Sequence, residues 1–290
     1  MGFISRHWSL DPFAAVTVVI AAWHEHGVRH LAARSRSAKG QARRRQAWLF
    51  YAGLVVLDLA VMSPIDYYSD LYYWVHMVQH LLLMFAAPVL IVAGAPWLPL
   101  THGLPVKVRR RLGRWVMLSP QAAPLRSAGR ALANPWVAIL GFNAIMIFWH
   151  IPGPFDLAYR NQIVHIWLMH ASFFLFGVAF WLQFIGSYPL RPRLPALQQA
   201  TALFATNVVM FLLAMTIGML STTSWYSVYN NLPGVSLSPL GDQQIGAGIL
   251  WVCGDFWCFP ALYRAVKQWI AEDEQRGVDG ALDRLLRGAH

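Results

Sequence analysis

The sequence predicts an all-α integral membrane protein, a bundle of seven transmembrane helices. Hydrophobic residues make up 57% of the 290 residues and charged residues only 12%, which excludes an ordinary soluble domain. The chain contains seven apolar runs, each close to the ~20 residues that a helix needs to cross a bilayer. The predicted spans cover residues 10–30, 47–63, 71–95, 135–150, 162–185, 196–219 and 243–268. They form one membrane domain, residues 1–270, followed by a cytoplasmic C-terminal tail, residues 271–290.

The distribution of positive charge orients this bundle. Of the 23 Lys and Arg residues, 21 fall on alternate connections or at the C-terminal end, and only Arg6 and Arg160 fall on the other side. Basic residues concentrate on the cytoplasmic side of a membrane, so the N-terminus is predicted outside and the C-terminus inside. The net charge of +10 is therefore attributed to topology and contact with anionic lipids, and not to nucleic-acid binding.

Five histidines on three of the spans share one predicted depth, in the outer half of the membrane. They are His76, His80, His150, His165 and His170. Ionisable side chains at such depth are costly and usually functional. His76, His80 and Met84 are spaced four residues apart, which places them on one face of an α-helix. Imidazole together with thioether suits copper, particularly Cu(I), so these six residues are the predicted metal ligands.

Polar residues at the same predicted side could assist a metal or cofactor. The candidates are Asp66, Asp70, Gln79, Asp156, Asp242 and Gln243. A carboxylate beside an imidazole orients the ring or attracts a cation to the site. The alternative is that Asp66, Asp156 and Asp242 only cap the helices that follow them. For Asp58, inside span two, the sequence leaves open whether the carboxylate pairs with one of the histidines.

Other patterns in the chain point away from catalysis. The sequence contains no glycine-rich phosphate loop, no G-x-S-x-G motif and no pairing of a nucleophile with a base, so the protein is predicted not to be an enzyme. Cys253 and Cys258 are five residues apart, about 140° around a helix, and are expected to remain unbridged. A methionine at helical spacing is more often a core residue than a ligand, and a single intramembrane histidine is often a packing residue.

Several motifs together resemble the CtaG-type assembly factors of caa-type cytochrome c oxidase. They are SPID at 63–66, HMVQHLLLMFAAPVLIVAGAP at 76–96, FWHIPGPFD at 148–156, NQIVHIW around His165, and LSPLGDQQ with Trp251. The resemblance implies a seven-span protein of a bacterial plasma membrane that helps to mature the oxidase, with oxidase subunits and a copper chaperone as partners. It also implies functional roles for four residues that match motif positions of the family, namely His76, His80, His150 and His165. Leu250 and Cys253 depart from the methionine and proline expected there, so no methionine ligand is expected from span seven.

Two other functions remain open on the sequence alone. Histidines on facing spans could ligate haem iron, with the 14 Trp residues and the many Phe residues lining a porphyrin pocket. Alternatively, the histidines form hydrogen-bonded packing, and the protein is a scaffold that holds an oxidase subunit without binding metal. A metal site is the favoured interpretation because five histidines at one depth are difficult to explain as packing residues.

Overall fold

The computed structural model describes residues 7–8, 12–33, 38–230 and 232–287, and these residues are almost entirely helical. In this part of the chain the β-structure is one isolated bridge between Ser187 and Leu190. The helices, in chain order, are α1 Pro12–Ala32, α2 Ala38–Met62, α3 Pro64–Ser69, α4 Tyr73–Leu81, α5 Ala87–Gly94, α6 Trp97–His102, α7 Val106–Leu118, α8 Ala123–Leu132, α9 Pro135–His150, α10 Pro152–Arg160, α11 Ala171–Trp181, α12 Ala196–Gly218 and α13 Pro239–Arg287. The all-α prediction is confirmed.

Two short π-helical segments continue these helices. Leu82–Ala86 joins α4 to α5, so that Tyr73–Gly94 forms one long helical rod. Val164–His170 leads directly into α11, and Val164–Trp181 forms a second rod. A π segment contains i→i+5 hydrogen bonds and occurs frequently at functional sites. Both segments adjoin predicted ligand histidines.

Five helical stretches of the described chain have the length and apolar composition needed to cross a membrane, or six if one bent pair counts as a span. The five stretches are Gln41–Met62, Tyr73–Gly94, Val164–Trp181, Ala196–Gly218 and Pro239–Gly277. The bent pair is Pro120–Leu132 with Pro135–His150, at 84°. α9 alone has 16 residues and is only about 24 Å long, less than the ~30 Å hydrocarbon core. The protein is thus a multi-pass membrane protein, whereas the count of seven and the side of each terminus stay predictions.

Local sequence signals explain where the helices begin. Ser63 caps α3 by accepting a hydrogen bond from the Ile65 N–H, and Asn134 caps α9 by accepting from the N–H groups of Trp136 and Val137. Proline occupies the first turn of both helices, where its missing N–H costs nothing. Polar N-caps and Pro residues therefore place the breaks between helices close to the predicted span ends.

The core lies around the long rod Tyr73–Gly94. This rod contacts α2, α11 and α13, and α12 packs along α13. Gly94 permits the crossing with α2, because a Cβ at this position would lie 2.7 Å from the backbone nitrogen of Phe50. Such close approach of helix backbones through small residues is typical of membrane bundles. The rod that carries His76 and His80 is therefore held on several sides by other helices.

Three sequence interpretations outside the histidine zone can be compared with the structure. Asp58 accepts a hydrogen bond from the Thr17 hydroxyl at 2.9 Å, so its partner in α1 is a threonine. Cys253 and Cys258 are both free thiols, as expected from their spacing. α13 continues without interruption as far as Arg287, so no break in the helix marks the predicted start of the tail at residue 271.

Candidate metal centre

The N-terminus of α4 is fixed by a residue from the other end of the chain. The carboxylate of Asp242, in α13, accepts hydrogen bonds from the N–H groups of Tyr73 at 2.8 Å and Trp74 at 2.9 Å. A carboxylate at this position satisfies N–H groups that have no partner within the helix and complements the helix dipole. Asp242 thus caps a helix other than its own, and it holds the turn from which His76 projects.

The π segment Val164–His170 explains how two histidines with an unfavourable spacing come together. In an α-helix, residues five apart point about 140° away from each other. In a π-helix, the i→i+5 hydrogen bond places residue i+5 above residue i. His165 and His170 occupy these positions, and their ring centroids are 4.2 Å apart. The local change of helix type therefore gives one span two imidazoles on one face.

All five predicted histidines converge in space. The ring centroid of His76 lies 4.4 Å from that of His80 and 5.1 Å from that of His165, and His150 lies 5.6 Å from His80. All five side chains are buried. A tighter subset, His76, His165 and His170, offers one ligand nitrogen each, all within 4.8 Å of one another. These three nitrogens are close enough together that the trihistidine group could hold a single metal ion.

Several imidazole nitrogens of the five histidines have no hydrogen-bond partner among the described residues. They are Nε2 of His76, Nε2 of His165, Nε2 of His170 and both nitrogens of His80. An unpaired polar atom in an apolar interior costs free energy, and native structures pair most of them. A bound cation would accept the one lone pair that each neutral ring presents and would reduce that cost.

The hydrogen bonds of Tyr229 determine the tautomer of His76. The Tyr229 hydroxyl donates its proton to the backbone carbonyl oxygen of Ser69, at 2.7 Å, and lies 2.8 Å from Nδ1 of His76. Burial raises the pKa of Tyr229 well above its ordinary value, so the hydroxyl keeps its single proton. A carbonyl oxygen can only accept, so both contacts are hydrogen bonds when the hydroxyl proton is directed at Ser69 and Nδ1 of His76 donates to the hydroxyl oxygen. Nε2 of His76 therefore carries the lone pair, as a metal ligand must.

The other predicted polar residues are used mainly to connect elements near the group. The side-chain nitrogen of Gln79 donates to the carboxylate of Asp66 and to the Ala60 carbonyl, both at 2.8 Å. Asp156 accepts from the Ser227 hydroxyl, and the backbone carbonyl of Asp70 accepts from Tyr159. Gln243 donates to the Ile217 carbonyl and the Ser221 hydroxyl and accepts from the Trp225 N–H. A role in binding a cofactor stays a prediction for these residues.

Two methionines near the histidines, Met84 and Met77, have different surroundings, and a ligand role for Met84 stays a prediction. The four-residue spacing from His80 to Met84 assumed a regular α-helix, but Met84 lies inside the π segment Leu82–Ala86 and packs in the apolar core. In the part of the chain described, a methionine sulfur does contact one of the five imidazoles: Sδ of Met77 lies 3.3 Å from Nε2 of His150. Met77 precedes His80 by three residues, a helical neighbour spacing that could have identified it. No comparable spacing in the sequence could have identified Tyr229 as a neighbour of His76.

Comparisons with known proteins identify a family and several relatives of this chain. Residues 25–272 match the family described as cytochrome c oxidase caa3 assembly factor (Caa3_CtaG). Uncharacterized proteins of Mycobacterium bovis and Mycobacterium tuberculosis are each 28% identical over 278 residues, which cover 92% of this chain and 40% of theirs. A Mycobacterium leprae protein, also uncharacterized, is 29% identical over 242 residues, which cover 80% of this chain and 35% of its own length.

The chain thus spans about two fifths of the length of the curated relatives that it matches. No solved structure matches it. The family match covers well over half of the chain and includes the helices that carry all five histidines. The protein therefore belongs to the cytochrome c oxidase caa3 assembly factor family.

Proposed function

We propose that this protein assists assembly of a caa3-type cytochrome c oxidase in a bacterial plasma membrane by holding copper as Cu(I) for an oxidase subunit. The observation that carries the proposal is the trihistidine group, in which three buried ligand nitrogens lie within 4.8 Å of one another. The family assignment supports the link to the oxidase. A copper chaperone that loads the site is the expected second partner.

The donor set supports copper over the hard cations. Imidazole nitrogens suit copper, zinc, iron and nickel, whereas magnesium and calcium prefer oxygen ligands. The hydrogen bonds of Tyr229 favour the tautomer of His76 that presents Nε2 as a lone-pair donor. Ligands must be deprotonated before they bind, so a preset tautomer lowers the cost of binding. A small set of neutral ligands is also suited to release, because copper can move to a client by ligand exchange.

The packing around the histidines favours a single ion over haem. A porphyrin ligated by two axial imidazoles must lie between them. On facing spans, the ring centroids of His76 and His165 are only 5.1 Å apart and those of His80 and His150 only 5.6 Å apart. The rings of Phe155 and Phe173 lie 4.8 Å from His76 and 4.5 Å from His80, so aromatic side chains already occupy neighbouring space. A metal ion requires much less room than a macrocycle.

The test uses the full chain purified in detergent, loaded with Cu(I) without oxygen and freed of unbound copper. The variant His165→Ala/His170→Ala is expected to lose one copper ion per chain relative to the original protein, because two of three ligands are removed. The matched control is His26→Ala/His30→Ala, which removes two exposed histidines of α1. Copper is counted by elemental analysis, and the unfolding temperature is recorded for each protein.

Three results would contradict the proposal. Equal copper content in the original protein and in His165→Ala/His170→Ala would exclude the trihistidine group as a copper site. An intense Soret band in the protein as purified would identify a haem protein instead. Absence of retained copper, with the oxidase subunit still bound to the protein, would identify a scaffold that binds no metal.

A further inference from the structure

Two further atoms that carry lone pairs, a ring nitrogen of His150 and the sulfur of Met77, lie beside the trihistidine group. Nδ1 of His150 is 2.6 Å from the carbonyl oxygen of Met146, and Nε2 of the same ring is 3.3 Å from Sδ of Met77. A carbonyl oxygen only accepts hydrogen bonds, so the proton of a neutral His150 is on Nδ1. Nε2 then presents a lone pair to a thioether sulfur, which is itself an acceptor. Two acceptors face each other with no hydrogen between them.

Protonating His150 would supply the missing hydrogen, but the surroundings oppose a positive charge there. His150 is 1% exposed, and its contacts include the His80 and Phe173 rings. A buried charge without a counter-ion is far more costly than a neutral ring. A cation shared by Nε2 and Sδ would instead turn the unfavourable pair into two ligand bonds.

His80 completes a possible ligand set. Both of its ring nitrogens are buried and lack a hydrogen-bond partner among the residues described. Met77 and His80 are three residues apart on α4, which places them on one side of the helix, and the His80 and His150 rings are 5.6 Å apart. With bonds of about 2.0 Å to nitrogen and about 2.3 Å to sulfur, the 3.3 Å separation of Nε2 and Sδ corresponds to a ligand–metal–ligand angle of about 100°.

We propose that His80, His150 and Met77 form a second metal position, with two nitrogens and one sulfur, that is selective for Cu(I). The inference rests on the proposed function, because it assigns a second copper position next to the trihistidine group. The thioether favours soft Cu(I) over zinc, so this position is more selective than three imidazoles alone. His76 and His80 are one turn apart, with ring centroids 4.4 Å apart, so the two positions are neighbours.

The competing explanation is that Met77 is an ordinary core residue. It is fully buried and packs with Tyr73 and Phe155, as a leucine could. Leucine has nearly the volume of methionine but no lone pair, so the substitution Met77→Leu separates packing from ligation. The matched control is Met210→Leu, which changes an equally buried methionine on α12 that lies beside Gly254.

The experiment measures copper stoichiometry and the copper X-ray absorption spectrum of the anaerobically loaded full chain. We expect two copper ions per chain and a sulfur contribution in the original protein and in Met210→Leu, and one copper ion with nitrogen ligands only in Met77→Leu. A second arm substitutes His150→Gln, which is expected to remove the same copper ion and the same sulfur signal. In His165→Ala/His170→Ala the sulfur signal is expected to persist.

The outcomes separate the two proposals. One copper ion per chain with only nitrogen ligands, lost in His165→Ala/His170→Ala, would overturn the second position and leave the trihistidine site intact. A sulfur signal that persists in Met77→Leu but disappears in Met84→Leu would assign the sulfur to the methionine expected from the sequence spacing, and would also overturn it. Absence of bound copper in the original protein would overturn both proposals.

Discussion

The Tyr229 hydroxyl offers a sharp test of how the site is prepared for metal. Substitution by phenylalanine keeps the ring and its packing but removes the group that receives a hydrogen bond from His76 and donates one to Ser69. His76 and Ser69 are both fully buried, so each polar atom left unpaired costs about 1–3 kcal/mol of unfolding free energy. The imidazole also loses the constraint that keeps the proton on Nδ1.

We expect Tyr229→Phe to weaken Cu(I) binding about 10–100-fold, the range found when a partner of a ligand histidine is removed, or about 1.4–2.8 kcal/mol. The measurement is a competition titration against a chromophoric Cu(I) chelator, without oxygen. Tyr159→Phe is the matched control, because Tyr159 lies 5.3 Å from the Tyr229 ring and donates to the Asp70 carbonyl without contacting His76. Equal copper affinities for the two variants would refute the argument about the tautomer.

Two further predictions concern the elements that hold the site. Asp242→Asn leaves one acceptor oxygen for the two N–H groups of Tyr73 and Trp74. The unfolding free energy should therefore fall by about 0.5–2 kcal/mol, and copper affinity should fall with it. The control Asp255→Asn, on the same helix, should leave copper affinity unchanged. Gly94→Ala places a Cβ 2.7 Å from the Phe50 backbone and should lower the unfolding free energy by about 1–3 kcal/mol, measured by thermal unfolding. A Cβ at Gly113 meets no neighbour within 4 Å, so Gly113→Ala should raise the unfolding free energy by about 0.5–1 kcal/mol. Unchanged affinity in Asp242→Asn, or equal unfolding temperatures in the two alanine variants, would contradict these assignments.

The sequence predicted the helical class and a shared depth for the five histidines, because both depend on patterns along single spans, whereas their contact in space is a finding of the structure. Apolar runs and the alternation of basic connections were sufficient to place His76, His150 and His165 at one depth. Depth restricts histidines on different spans to a thin layer, so convergence required only that the spans be neighbours. The family resemblance was likewise confirmed, because its motifs are contiguous in the sequence.

The details of the group depended on features that regular periodicity cannot express. His165 and His170 share a face only because Val164–His170 is π-helical, and the stripe that predicted Met84 ends where a second π segment begins at Leu82. Hydrophobic patterns with a period of 3.6 residues do not reveal an i→i+5 segment. The hydrogen bond from His76 to Tyr229 joins residues 153 apart, and no local pattern indicates such a contact.

The cap on α4 has a consequence for the time at which the site can form during synthesis. Asp242 follows Tyr73 by 169 residues, so the ribosome completes the histidine helix long before it makes the carboxylate that fixes its first turn. Chains emerge at about 5–20 residues per second, which separates the two events by roughly 8–34 seconds. During that interval the helix with His76 and His80 lacks its final support, and His150, His165 and His170 are themselves still being made. The proposed copper site therefore reaches its finished geometry only after the last helix has inserted, which would make metal loading a late step in the biogenesis of this protein.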